Sequence, residues 1–154
     1  MFDNSDTGLS VAPAVVQTVL GGTHPAFAWL DYATFDSPAM RFTNAISARG
    51  AAQAMQEFAA EMKGGAISES AANTAGYRLL RSGKIADAIL LFSRNVELHP
   101  RSANVYDSLG EAYAAADDTT RAIANYEQAL ALDPTSGGAK AALEKLRAAS
   151  PPPR

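Results

Sequence analysis

Residues 104–134 read NVYDSLGEAYAAADDTTRAIANYEQALALDP, and this stretch decides the fold. Apolar residues recur at three- and four-residue spacing on both sides of Asp117-Asp118. That spacing predicts two helices, over 103–116 and 119–132, joined by a tight turn at the aspartates. Pro134 cannot continue a helix and stops the second one. Gly110 and Ala122 are small where the two helices of the hairpin approach, and Tyr126 supplies a ring large enough to fill the gap to a neighbouring hairpin.

The pattern repeats upstream. Gly76, Ala88, Phe92 and Pro100 each stand 34 residues before Gly110, Ala122, Tyr126 and Pro134. Leu79, Ile89 and Leu98 precede Tyr113, Ile123 and Leu132 by the same step. A fixed period of this size marks stacked helical hairpins, each too small to bury its apolar face alone. The second copy predicts helices over 70–81 and 84–98. One more step back gives Ala54 and Phe58 but puts Phe42 where the glycine belongs, so the earliest unit keeps the second-helix signature and loses the first. Its helices are predicted from Pro38 to Gly50 and from Ala51 to Met62, closed by Gly64-Gly65. A last helix over 138–149 carries Leu143 and Leu146 on one face, with Lys140, Glu144, Lys145 and Arg147 around the rest, as expected of a solvating cap.

The organisation read from this pattern is an N-terminal extension at 1–37, a degenerate hairpin at 38–65, repeat units at 69–102 and 103–136, a capping helix at 137–149 and a frayed tail at 150–154. Within the extension, residues 1–8 read as a short strand-like start. Ser10 caps a helix with Pro13 in its first turn and Val15, Val16, Val19 and Leu20 on one face. An aromatic connector with Trp29, Tyr32 and Phe35 follows.

The signature residues resemble the tetratricopeptide repeat family. Tyr106, Leu109-Gly110, Tyr113, Ala122, Tyr126, Ala129 and Pro134 take the slots of that family's pattern. The preceding unit departs from it with Ala72 at the aromatic slot and Asn95 at the later alanine slot. The resemblance implies an all-α fold: a short right-handed superhelix, or α-solenoid, of tetratricopeptide-type hairpins with a C-terminal capping helix. A second string, FDNSDTGLS…VVQTVLGG, is similar to the last strand and C-terminal helix of β-lactamase-related, penicillin-binding-protein-like serine hydrolases. That resemblance implies a catalytic domain upstream of Met1 and makes the chain an accessory region of it.

Composition narrows the chemistry. The chain has 154 residues, no cysteine, 13 basic and 16 acidic side chains, and about a fifth of it is alanine. A disulfide scaffold, a thiolate zinc site and a thiol nucleophile are excluded. The weak negative charge without a Lys/Arg run argues against nucleic acid. No apolar run reaches the roughly 18 residues of a membrane span, and the polar, acidic N-terminus is no signal peptide, which makes the cytoplasm the default location. No serine has lysine three residues on, so the acylating pair of the hydrolase family is missing, and Lys63-Gly64-Gly65 reads as a helix stop. Of the two histidines, His99 sits at a helix end and His24 in a loop. No His/Asp/Glu set has metal-ligand spacing, and no glycine pair is followed by the Lys-Ser/Thr of a phosphate loop. The expectation is a chain with no catalytic residues, no cofactor and no metal.

What the repeat resemblance does imply is a concave groove lined by the first helix of each pair, able to hold an extended peptide or a helix. The residues at groove positions are Asn73, Tyr77 and Arg81 on one helix and Asn104, Asp107 and Glu111 on the next. The alternative reading makes them the solvated face of ordinary helices. Family members that clamp a chaperone tail's terminal carboxylate use cations there, whereas Asp107 and Glu111 repel one, so a neutral or basic ligand fits better. Tyr77 is placed to stack on it. Because stable arrays want at least three units, the N-terminal extension could instead fold into the groove, or a second copy could cover it and form a homodimer.

Overall fold

The computed structural model describes residues 37–149. The extension's helix, its aromatic connector with His24, the hydrolase-like string and the tail from residue 150 lie outside the described residues. Every regular element among those described is a helix: α1 (Pro38–Arg49), α2 (Ala51–Glu57), α3 (Ala59–Lys63), α4 (Glu69–Arg81), α5 (Ile85–Leu98), α6 (Ala103–Ala115), α7 (Thr119–Leu132) and α8 (Gly137–Ala149). The fold is all-helical and consistent with an α-solenoid.

Local chemistry sets the helix starts. Ser37 and Ser68 cap α1 and α4, their hydroxyls accepting from the backbone N–H groups of Met40 and Ala71 at 3.2 Å, and Pro38 occupies the first turn of α1. Asp118 caps α7 by accepting from Arg121 N at 3.0 Å. The turn before it needs a left-handed residue, supplied by Asp117 at φ 59°. Aspartate is among the few non-glycine residues that adopt this conformation at modest cost.

The helices pair as hairpins and the hairpins stack. α4 packs on α5, α6 on α7, and α8 on α7, while α5 also packs on α6 to join two hairpins. One core cluster runs from Phe42 and Ile46 through Met62, Leu79 and Phe92 to Leu109, and a second joins Tyr126 and Ala129 to Ala139 and Leu143 of α8. α8 thus covers the apolar side of α7 with Leu143 and Leu146, and its Lys140, Glu144, Lys145 and Arg147 are exposed.

One expectation is corrected. The helix expected from Ala51 to Met62 is broken at Phe58, whose φ of −103° and ψ of 21° separate α2 from α3. The rings of Phe92 and Tyr126 also pack inside their own hairpins. Each lies over the glycine of its own hairpin, where a Cβ on Gly76 would stand 2.4 Å from Phe92 Cε1 and one on Gly110 3.1 Å from Tyr126 Cδ1. The absence of a side chain is what lets ring and backbone touch.

Candidate functional site

The six residues expected to line a groove lie on neighbouring first helices, Asn73, Tyr77 and Arg81 on α4 and Asn104, Asp107 and Glu111 on α6. Both helices carry an apolar stripe that turns inward, which leaves polar side chains on the opposite stripe. Tyr77 spans the gap between them. Its Oη donates to Glu111 Oε2 at 2.8 Å and lies 3.2 Å from Ser108 Oγ, while its ring meets Phe92 edge-on at 5.3 Å. Ser108, fully buried, donates in turn to Asn104 O at 2.9 Å.

Electrostatics follow from that packing. Burial, then the Glu111 and Asp107 carboxylates, push the Tyr77 phenol up to about 12, with the Ser108 contact opposing them. Burial and the neighbouring Glu111 charge raise the Asp107 carboxyl above its ordinary 3.8. No hydrogen bond or ion pair reaches the half-buried Asp107 carboxylate among the described residues. The Tyr126 phenol is pushed up to about 12 by burial and by the charges of Asp107 and Glu111.

The structure therefore brings Tyr77, Asp107 and Glu111 together and leaves the others apart. Asn104 turns away: its Nδ2 donates to Glu69 Oε1 at 3.2 Å, beside the 2.8 Å hydrogen bond from Ser102 Oγ to the same oxygen. Arg81 is exposed and has no ion pair among the described residues. Asn73 keeps its Oδ1 sheltered, with no partner among the described residues. Two members were not assigned from sequence, Ser108 and Tyr126. Ser108 sits on the buried stripe one turn after Asn104, a signal visible in the periodicity, whereas the spacing of Tyr126 signals only packing.

Comparison with known proteins bears on the 34-residue unit itself. Residues 103–136 match the family model for the tetratricopeptide repeat. This segment resembles a tetratricopeptide repeat. The chain is 42% identical over 72 residues to the Hsp70-Hsp90 organizing protein of Triticum aestivum, a match covering 46% of this chain and 12% of that protein. It is 34% identical over 85 residues to the cellulose synthase operon protein C of Escherichia coli strain K12, covering 55% of this chain and 7% of the relative. The matched part is thus a small fraction of either relative. Among the described residues, no His, Asp or Glu cluster could hold a metal ion, and no helix is long and apolar enough to cross a membrane.

Proposed function

We propose that the chain is a non-catalytic protein–protein interaction module, a scaffold or adaptor that seats a peptide or helix of a partner protein along α4 and α6. The observation that carries this reading is Asp107. A half-buried carboxylate next to a second carboxylate costs stability unless a partner satisfies it. No group of this chain does so among the described residues, so a donor or cation from a ligand is the natural complement. Tyr77 beside it offers a ring face for stacking and a hydroxyl already tied to Glu111. The relative named for organising Hsp70 and Hsp90 supports an interaction role.

The test is to capture interacting proteins with the full chain and titrate each against Tyr77→Ala and Asp107→Lys. Loss of affinity in both variants is expected, Asp107→Lys losing more for a basic ligand. Affinities unchanged in both would remove the groove reading. A second reading is favoured by the string FDNSDTGLS…VVQTVLGG, which makes the chain an accessory region of a serine hydrolase. It predicts that the reading frame continues upstream of Met1 into a Ser-x-x-Lys segment, which sequencing of the coding DNA decides.

A further inference from the structure

Among the described residues, the row where one hairpin meets the next is closed between α4 and α6 and open between α1 and α4. Tyr77 closes the first gap by reaching Glu111. Thirty-four residues earlier stands Thr43, whose hydroxyl donates to Ala39 O at 2.9 Å in its own helix and which is too short to make the same crossing. On the other wall, Arg78 of α4 occupies the register that in α6 belongs to the fully buried Ala112. The consequence is a cleft between α1 and α4 floored by Ile46, Ala75 and Leu79, with Arg78 and Lys84 in its walls. Among the described residues, neither cation has an ion pair and no carboxylate lines the cleft.

We propose that this cleft receives an acidic side chain, Asp or Glu, of the partner peptide, and that it thereby fixes the direction in which the peptide lies. The proposal rests on the groove reading above. The two ends of the surface differ in sign. Cations stand at α1–α4, and two carboxylates, Asp107 and the Tyr77-bonded Glu111, stand on α6. A peptide with an acidic residue at one end and neutral or basic residues at the other meets both, and the reversed peptide meets like charge twice. The apolar floor strengthens the pairing by keeping water from one side of the carboxylate, and the guanidinium can hold both of its oxygens.

The probe is a pair of short blocked peptides that differ only in one Glu replaced by Gln, each with a Lys downstream, titrated against the chain by NMR. The Glu peptide is expected to bind about threefold to tenfold more tightly. That preference should vanish in the double variant Arg78→Gln, Lys84→Gln. It should vanish as well in Thr43→Tyr, which gives α1 the ring that α4 has, with circular dichroism verifying the fold of each. Equal affinity for the two peptides, or a preference that survives the double variant, overturns the proposal. Inorganic phosphate shifting the Arg78 resonances while neither peptide does so overturns it too. If both peptides bind equally and Tyr77→Ala abolishes binding, the groove reading stands and the cleft assignment alone falls. If neither peptide binds, both fall.

Discussion

In the hairpin of α6 and α7 the Tyr126 ring lies over Gly110, with only 3.1 Å left for a Cβ; in the hairpin of α1 and α2 the ring at the same register, Phe58, meets Phe42 edge-on at 5.7 Å. The two hairpins share a period and a ring but close by different contacts. A ring on glycine lets the helix backbones approach, and the second helix then runs unbroken from Thr119 to Leu132. A ring on a ring fills the space with two aromatic side chains, Phe42 fully buried, and the second helix is interrupted at Phe58 itself. The neighbours differ too. α5 packs on the first helix of the next hairpin, α6, whereas α2 rests on the second helix of the next, α5. The period of a repeat therefore does not dictate its geometry; the residue opposite the ring does.

The sharpest way to break this comparison is Phe42→Gly, which gives the first hairpin the residue of the other two. If Phe42 is the fill that the structure shows, the variant loses about 4–6 kcal/mol, combining aromatic truncation with a helix-interior glycine. A urea titration reading a loss under about 1 kcal/mol would mean that the first hairpin closes like its neighbours. A smaller effect separates the two glycines. Gly76→Ala forces a Cβ to 2.4 Å from the Phe92 ring, against 3.1 Å at Tyr126 for Gly110→Ala. The first should cost about 1–3 kcal/mol of overpacking and the second less, an order that thermal melts can reverse.

The smallest effect concerns the slot that holds Asn95 in one unit and Ala129 in the next. Asn95 is 1% exposed; its Nδ2 donates to Glu69 O at 3.1 Å and its Oδ1 has no partner among the described residues. Asn95→Ala removes one hydrogen bond and one unsatisfied acceptor, whose effects oppose. The net change is expected within about 1 kcal/mol, on the stabilising side. A loss above about 2 kcal/mol in the same titration would make the Glu69 contact the dominant one.

Much of the fold was legible because the signals are local. Pro100 and Pro134 bound helices by their missing N–H, and the Asp117-Asp118 turn ends in a cap whose side chain meets Arg121 N three residues on. The site was legible only in part. Helical spacing put Asn73, Tyr77 and Arg81 on one row, but which of them meets α6 depends on a reach between helices that spacing does not contain. Asn104 illustrates the limit, since its amide is claimed by Glu69, 35 residues away in the chain.

By itself the sequence determined the helical class, the 34-residue period and the small residues at which helices touch, because these depend on propensity, capping and side-chain volume within a turn or two. Only the tertiary structure decided the break at Phe58, the union of Tyr77 with Glu111 beside an unsatisfied Asp107, and the open cleft beside Thr43. Each of those turns on which side chain is long enough to cross between helices brought together by packing, and on what is already there to meet it.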